Sequence, residues 1–329
     1  MAKIDRVKLS FQELEEFNQR NQLYSFDEKR FKWLFYQNPF GEANFYCAFD
    51  KEKLVGTEIL IPLEFIYQGD RFMTFLAVGS LIDKDYRGKG LWKQLLIASA
   101  EDSRENGGKA IWGPPNPNSL PVLQKHGNWQ HICNVGTLRF FCGVNKTKSI
   151  PIQLIQTVLQ GRNKIFQKKN KQLVSQPFKS CENVPTRFIS IHKNNDYLKW
   201  RYVDEPQKVF HLQQLTDVTT GESCGFWVYS FSGRTLCIVD YFLNDYHIYL
   251  DDFIGIIQHT GFENDCYRIV IRENVKSLAF NAMLANHFQQ RAEYPVFVNI
   301  LDNSYSDILK NNHWDMNMGD EDINFTKGM

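Results

Sequence analysis

The stretch Ser80-Leu-Ile-Asp-Lys-Asp-Tyr-Arg-Gly-Lys-Gly-Leu91 joins a strand pattern to a helix pattern through a loop that contains two glycines. The apolar run before the loop has the length of a strand, and the apolar residues after it recur at helical spacing. Gly88 and Gly90 allow the backbone to adopt positive φ and to approach a ligand closely. The amides at the start of a helix, together with the positive end of its dipole, suit a diphosphate. The stretch therefore predicts a phosphate-binding loop, to which Arg87 and Lys89 add positive charge.

This loop resembles the pyrophosphate loop of the GNAT superfamily, whose members are acyl-CoA-dependent N-acyltransferases. The segment Arg87-Gly-Lys-Gly-Leu-Trp92 agrees with the family pattern except at its end, where Trp92 replaces a small residue. The glycine patterns of ATP-type and dinucleotide-binding loops are absent. In the superfamily the preceding strand splays from its neighbour, which implies that its backbone pairs with the pantetheine arm and that the amide of Leu81 or Ile82 stabilises the oxyanion. The residues implied to contact acyl-CoA here are Leu81, Ile82, Arg87, Gly88, Lys89, Gly90 and Leu91.

A second motif lies further along the chain. The strand pattern Lys109-Ala-Ile-Trp112 leads to a turn with Asn116 and then to another helix pattern. This order resembles the second strand and the asparagine-bearing turn of the superfamily, and it implies that Asn116 contacts acyl-CoA. The tyrosine that the family uses to protonate the leaving thiolate is missing, because Leu123 or Gln124 stands at its position. Ser119 is the nearest hydroxyl and a candidate for this role, although a serine at a helix start more often caps the helix.

Transfer of an acyl group to an amine requires that the amine lose a proton, so a general base is expected. Asp83 is the first choice for this base, because it directly follows the strand that would polarise the thioester. The alternatives that remain open are Glu58, Glu64, His126 and His131. Cys47 is interpreted as a core thiol and not as an acyl-accepting nucleophile, because no histidine neighbours it in a recognisable pattern.

The second half of the chain repeats features of the first. The segment Phe31-Lys-Trp-Leu-Phe-Tyr-Gln-Asn-Pro39 aligns with Leu198-Lys-Trp-Arg-Tyr-Val-Asp-Glu-Pro206, and we expect these two segments to bury a common interface. Asn116-Pro-Asn-Ser-Leu120 aligns with Asn274-Val-Lys-Ser-Leu278, each behind a strand pattern. Residues 234–254, where the second copy should carry its own phosphate loop, contain no glycine. The pattern therefore predicts a second domain that has lost its cofactor site.

The predicted fold class is α+β, with two tandem GNAT-like domains. Each domain is expected to be a mixed, largely antiparallel sheet flanked by helices, and the second is expected to be degenerate. Residues 1–148 form the predicted domain with the acyl-CoA site. Residues 149–180 contain an apolar run followed by basic residues and no Asp or Glu, which predicts a basic amphipathic linker helix, although a contact with a membrane surface or a polyanion stays open. We expect the apolar face of this helix to join the interface of the Trp33 and Trp200 segments. Residues 181–329 form the predicted pseudo-domain, which would complete the acceptor pocket.

Composition narrows the possible partners. The 38 basic and 37 acidic residues almost cancel, so the net charge gives no attraction to nucleic acid. The 7 cysteines are odd in number and lack any Cys-x-x-Cys pattern, which argues against a disulfide framework and a metal site and favours core thiols in a reducing compartment. The sequence shows neither an apolar signal-peptide core nor a run long enough to span a membrane. These features predict a cytoplasmic protein without membrane insertion.

The tandem arrangement resembles bacterial N-acyltransferases that modify dTDP-linked 3-amino-3,6-dideoxyhexoses in surface-polysaccharide biosynthesis, including that of O-antigen and lipopolysaccharide. This resemblance implies acyl-CoA as co-substrate, no metal, and a small nucleotide-sugar acceptor. Aromatic residues of the second half, among them Trp227 and Tyr241, could stack on the base, but each is better interpreted as core. The alternatives that remain open are a non-catalytic coenzyme A-binding module and an N-acetyltransferase that acts on another small amine or on a protein lysine.

Overall fold

The computed structural model describes residues 2–22, 27–142, 172–180, 188–311, 314–317 and 319. Within these residues the chain forms two compact units, and each unit combines segments that are distant in sequence. Unit 1 draws on Met1–Ile132, Pro185–Lys208 and Pro295–Asn312, and unit 2 on Cys133–Val184, Val209–Tyr294 and His313–Met329.

Thirteen strands and eight α-helices are described in these ranges. The strands are β1 (Lys3–Val7), β2 (Asn44–Asp50), β3 (Lys53–Tyr67), β4 (Asp70–Ile82), β5 (Ala110–Gly113), β6 (Gln130–Phe141), β7 (Leu173–Pro177), β8 (Ser190–Ile191), β9 (His211–Asp217), β10 (Ser223–Ser232), β11 (Thr235–Leu243), β12 (Arg268–Asn274) and β13 (Gln289–Ile300). The helices are α1 (Phe11–Arg20), α2 (Glu28–Tyr36), α3 (Leu91–Glu105), α4 (Leu120–His126), α5 (Asn195–Leu198), α6 (Tyr246–Glu263), α7 (Leu278–Ala285) and α8 (Ser306–Asn311).

Unit 1 is built on a mixed sheet in the order β1-β2-β3-β4-β5-β13. Strands β1 to β4 are antiparallel neighbours, β5 runs parallel to β4, and β13 runs antiparallel to β5. The long strand β3 is apolar and buried over most of its length, as expected of a strand that is covered on both faces. Helix α3 packs on this sheet through Leu91, Leu95 and Leu96, which recur at helical spacing.

Unit 2 repeats this plan. Its strands follow the order β6-β12-β11-β10-β9-β7, with β9, β10 and β11 antiparallel and β12 parallel to β11. Helix α6 connects the two parallel strands and buries Leu250, Phe253, Ile254 and Ile257, which lie on one face of the helix. The predicted α+β class, with two tandem mixed sheets flanked by helices, is therefore confirmed.

Each half of the chain contributes its last strand to the other unit. Strand β13, which follows the helices of the second half, pairs with β5 through Phe297–Ile300 in unit 1. Strand β6, which follows the helices of the first half, pairs with β12 through Val135–Phe141 in unit 2. Strands β5 and β12 therefore each pair with a strand from the other half of the sequence.

The two aligned Lys-Trp segments meet inside unit 1. The indole Nε1 of Trp33 donates to the carbonyl of Trp200 at 2.7 Å, and the indole Nε1 of Trp200 donates to the carbonyl of Trp33 at 2.9 Å. The two rings stack with centroids 5.3 Å apart, and both side chains are buried. Nearby, the buried pair Arg30 and Glu205 lies at 3.5 Å. The expected contact of the two segments is confirmed, and its reciprocal bonding is what two equivalent segments would form. The apolar face of the linker, which we expect to join this interface, lies outside the described residues.

The predicted domain boundaries, 1–148 and 181–329, stay a prediction, although residues 188–208 and the end of β13 lie in unit 1. Most of the predicted linker helix, residues 149–171, lies outside the described residues. Residues Leu173–Pro177 form strand β7, so the helix does not extend through this end of the segment. The six cysteines that are described are buried, as expected of core thiols. No helix in the described ranges is both long and apolar enough to cross a membrane.

Candidate functional site

Strand β4 pairs with β5 along only part of its length. Within the described residues, β5 pairs with β4 only from Thr74 to Leu76, whereas β4 continues to Ile82. The two parallel strands thus separate, and the backbone of the last six residues of β4 has an edge without a strand partner from β5. An unpaired strand edge can accept an extended polar ligand as an additional strand.

The direction of the amides on this edge follows from the pairing with β3. The amide of Asp83 donates to the carbonyl of Val55 at 2.9 Å. Because hydrogen bonding alternates along an antiparallel pair, the amide of Leu81 faces β3 and the amide and carbonyl of Ile82 face the open edge. The Nε of Arg87 donates to that carbonyl at 3.1 Å, from the same side. Of the two amides predicted for the oxyanion, the one of Ile82 lies on the accessible side.

A β-bulge interrupts β4 within this edge. Val78 pairs with Ile59 and Leu81 pairs with Thr57, so two residues of β4, Gly79 and Ser80, stand opposite the single residue Glu58. Gly79 has φ of +63°, and a Cβ there would lie 2.8 Å from Cδ1 of Ile59. This bulge is not among the features predicted from the sequence, although an isolated glycine within a strand pattern is its usual signal.

The glycine loop leaves the start of α3 without a side-chain acceptor. Gly88 and Gly90 have φ of +75° and +73°, and no atom lies within 4 Å of a Cβ placed at either. Gly90 is the N-cap of α3 and has no side chain to bond the first amides. Leu91 is buried and anchors the helix, so its amide and not its side chain is available to a ligand. The amides, the helix dipole and the open space together have the chemistry that suits an anion.

The two loop cations bond backbone oxygens. Lys89 Nζ donates to the carbonyl of Asp85 at 2.8 Å and lies over the ring of Tyr86, while Arg87 bonds Ile82 as described. Both side chains are exposed. A diphosphate is compatible with this chemistry, since amides and cations bind phosphate oxygens together. Within the described residues no group of His, Cys, Asp and Glu could hold a metal ion.

Asp83 is held by cations. Its Oδ2 lies 3.1 Å from Nε of Arg20 and 3.4 Å from Nζ of Lys53, and its Oδ1 accepts from the amide of Asp85 at 3.2 Å. Burial alone would raise the pKa of Asp83, but the amide of Asp85 and the two cations outweigh it and the pKa is lowered. A carboxylate held in this way caps the turn and has little tendency to accept a proton.

Glu58 has the opposite environment. Its side chain is buried, and burial raises its pKa to about 7, while hydrogen bonds from the Ser80 hydroxyl and the Trp92 indole lower it in part. The Nε1 of Trp92 donates to Oε2 of Glu58 at 3.0 Å. Glu58 faces the bulge of β4, next to the open edge. Among the predicted base candidates, it combines this location with a pKa near neutrality.

The turn after β5 is organised by its own asparagine. Oδ1 of Asn116 accepts from the amides of Asn118 and Ser119, both at 2.9 Å. The hydroxyl of Ser119 donates to the carbonyl of Asn116 at 3.0 Å and does not bond the amides of α4, so the expected N-cap bond is absent. Leu123 is buried in the core of unit 1, where the family has its tyrosine. The turn places no hydroxyl other than that of Ser119 at this helix start.

The remaining candidates lie elsewhere in unit 1. Glu64 lies on β3 and contacts the buried His192, with Oε1 and Nδ1 2.5 Å apart, six residues along the strand from Glu58. His131 packs edge-on against Phe297. Burial raises the pKa of the Cys47 thiol to about 12, which supports the interpretation of a core thiol. His126 ends α4.

Comparison with known proteins adds family and fold. Residues 8–132 match the family model described as acetyltransferase (GNAT) domain, a match that covers less than half of the chain. None of the curated proteins that were compared matches the sequence. This segment thus matches a GNAT acetyltransferase domain, and the predicted acyltransferase is confirmed at that level.

Solved structures share the fold over most of the chain. A GCN5-related N-acetyltransferase from Anabaena variabilis superposes with a TM-score of 0.65 at 12% identity, covering 92% of this chain and 74% of that one. A GCN5-related N-acetyltransferase from Kribbella flavida gives 0.63 at 11%, covering 94% and 74%. A tandem GNAT protein of the clavulanic acid biosynthesis pathway gives 0.52 at 9%, covering 91% and 99%. These likenesses show the fold alone, and they include a tandem arrangement.

Proposed function

We propose that the protein transfers an acyl group from acyl-CoA to the amine of a small acceptor, and that unit 1 carries the reaction. The observation that supports this most strongly is the succession of two features along the described chain: the edge of β4 that β5 leaves unpaired is followed, after the glycine loop, by a helix start without a side-chain cap. The first suits the extended pantetheine arm, and the second suits the diphosphate.

In this proposal the loop and strand residues bind acyl-CoA, and the buried acid Glu58 accepts a proton from the acceptor amine. Arg87, Lys89 and the amides that follow Gly90 bind the diphosphate, and the edge of β4 orients the pantetheine. When bound, acyl-CoA supplies a thioester as the acyl donor. The amide of Ile82 donates a hydrogen bond on the edge where negative charge develops at the acyl oxygen. Leu81 would contribute through its position in the strand, since its amide faces β3.

Glu58 is proposed as the general base. Attack requires a neutral amine, and a carboxylate with a pKa of about 7 can accept the proton at neutral pH. The predicted role of Asp83 as base stays a prediction, and its contacts with Arg20 and Lys53 favour a role in holding the turn. The predicted roles of Ser119 and Asn116 also stay predictions.

For the acceptor we propose a nucleotide-linked amino sugar of the dTDP-3-amino-3,6-dideoxyhexose class. The support is the resemblance of the tandem sequence and the nearly neutral net charge of +1, which offers no field for a polyanion such as tRNA. Trp227 and Tyr241 are buried in the core of unit 2, so stacking on a base has to come from other side chains.

The test is release of free coenzyme A thiol when the full chain is offered a panel of acyl-CoAs with nucleotide-linked amino sugars, polyamines and a lysine peptide. We expect acyl-CoA-dependent release with an amino sugar. The variant Glu58→Gln should lower kcat by roughly 10²- to 10⁴-fold, the usual contribution of a general base. Glu273→Gln is the matched control, because Glu273 is equally buried but lies in unit 2.

Each outcome separates the alternatives. Release with a lysine peptide or polyamine but with no nucleotide sugar refutes the acceptor and keeps the enzyme. Tight binding of coenzyme A without release for any acceptor supports the non-catalytic module instead. Equal activity of Glu58→Gln and the unmodified chain refutes Glu58 as the base.

A further inference from the structure

The loop departs from the GNAT pattern at one residue, and that residue contacts the buried acid. Trp92 is the second residue of α3, where the family pattern has a small side chain. Its indole reaches across to β3 and donates from Nε1 to Oε2 of Glu58 at 3.0 Å. The ring is partly buried and packs against the core of unit 1. The start of the phosphate loop helix is therefore linked directly to Glu58.

Strands β2 and β4 and helix α3 all lie next to Glu58, and Trp92 is the hydrogen-bond partner that α3 supplies. On β2, Tyr46 stands directly opposite Glu58, but its hydroxyl donates to Asp102 at 2.6 Å. On β4, the facing residues are the uncharged Gly79 and Ser80 of the bulge. The causes that set the pKa of Glu58 are burial and then the bonds from Ser80 and Trp92.

We propose that Trp92 is a positioning residue, which fixes the orientation of the Glu58 carboxylate and stabilises its charged form through the Nε1 donor. This rests on the proposed function, in which Glu58 is the base. An N–H donor on a fixed ring restricts a carboxylate to one rotamer, and a hydrogen bond to the charged form favours that form. Trp92 lies on α3 two residues after Gly90. The helix start that would bind the diphosphate therefore also positions the proposed base, Glu58.

The test compares the pH dependence of kcat/KM in the unmodified chain and in Trp92→Phe, which keeps an aromatic ring but removes the donor. The unmodified chain should gain activity as pH rises through a midpoint near 7. Loss of the donor disfavours the carboxylate and raises its pKa, so the midpoint should move up by about one pH unit, as expected when a charge-assisted hydrogen bond is lost. A midpoint unchanged in Trp92→Phe refutes the proposal.

Trp112→Phe is the matched control. Trp112 is a buried indole of unit 1 that donates to Oγ1 of Thr74 at 3.3 Å, away from Glu58. It should lose stability but keep the midpoint of the unmodified chain. An equal shift in Trp112→Phe would show that any lost indole has this effect and would refute the proposal.

Glu58→Gln separates the two levels. If it removes the pH-dependent limb while Trp92→Phe leaves the midpoint unchanged, the base stands and the role of Trp92 fails. If it leaves the limb in place, the base itself fails, and the role of Trp92 fails with it.

A second measurement covers the case in which Trp92→Phe does not fold. The indole fluorescence of the unmodified chain should change with pH through the midpoint of Glu58, because the bonded carboxyl titrates beside Trp92. This transition should be absent in Glu58→Gln and present in Trp112→Phe. Its presence in Glu58→Gln, or its absence from the unmodified chain, would refute the contact.

Discussion

The two units share a topology but end their central parallel strands in different ways. In unit 1, eight residues separate β4 from α3, two of them glycines with positive φ, and Gly90 leaves the helix start uncapped. In unit 2, β11 passes to α6 through Asn244 and Asp245 alone, and Oδ1 of Asp245 accepts from the amides of His247 and Ile248. A carboxylate thus occupies the amides that would bind a phosphate, and its charge repels an anion. One side chain at the N-cap is enough to change what a helix start can bind.

The open strand edge also differs between the units. In unit 2, β12 pairs with β11 only from Thr235 to Ile238 within the described residues, so these strands separate as β4 and β5 do. Here the chain's own residues 314–317 bond both strands and are buried. Nδ2 of Asn274 donates to the carbonyl of Trp314 at 2.8 Å, and Nδ2 of Asn317 donates to the carbonyl of Tyr241 at 3.3 Å. The separation between the strands is a property of the fold, whereas access to it is a property of each unit.

The largest effect that the comparison predicts follows from removal of the second half. A chain that ends at Lys148 lacks β13, which pairs with β5, and lacks Trp200, which stacks on Trp33. It should be insoluble or unfolded, because unit 1 would expose the edge of β5 and a buried indole. Circular dichroism and thiol release measure this. A soluble and fully active product would contradict the exchange of strands.

A smaller effect is expected from the helix starts. Gly90→Val forces a β-branched residue into φ of +73°, which costs on the order of 1–3 kcal/mol or moves the loop. Its side chain also enters the open space above the amides, so coenzyme A affinity, measured by calorimetry, should fall by about 100-fold or more. Asp245→Ala should cost about 1 kcal/mol of stability through loss of the cap and leave coenzyme A affinity unchanged. If Gly90→Val bound coenzyme A as tightly as the unmodified chain does, the placement of the cofactor site in unit 1 would be wrong.

The glycine loop and the helix that follows it could be predicted from the sequence because their signal is local. Strand, glycines, cations and helix lie within one short stretch, and Gly88 and Gly90 each adopt the positive φ that glycine permits. The exchange of β6 and β13 could not be predicted, since strand pairing is decided by packing across the whole chain. The aligned Lys-Trp segments gave the equivalence of Trp33 and Trp200, but not that both lie in unit 1.

The choice of base shows the same limit. Asp83 is next to the loop in sequence, but Arg20 and Lys53, which belong to distant segments, contact its carboxylate and contribute to its lowered pKa. Glu58 lies on another strand, and its pKa is raised by burial that only the folded unit provides. A pattern shows which acids are available, whereas desolvation and partners decide their protonation.

The smallest expected effect on the chemistry comes from a contrast between the buried acids of the two units. Burial raises the pKa of Glu273 to about 8 from its ordinary 4.5, the charge of Asp315 adds to this, and the Tyr241 hydroxyl, 2.5 Å from Oε2, opposes it. Because the folded state holds this proton more tightly than the unfolded state, its contribution to stability is complete below pH 4.5 and is lost as pH rises through 8. Glu273→Gln removes the titration.

When the pH rises from 5 to 9, the free energy of unfolding should therefore fall less in Glu273→Gln than in the unmodified chain, by a difference on the order of 1–3 kcal/mol. Urea titrations of both chains at the two pH values measure this difference. The rate of thiol release of Glu273→Gln at a fixed pH should match that of the unmodified chain, unlike that of Glu58→Gln. The two acids share a raised pKa, but only Glu58 faces an open strand edge, so only its loss should reach the chemistry. Parallel stability curves for the two chains across this range would show that Glu273 does not carry a proton in the folded state.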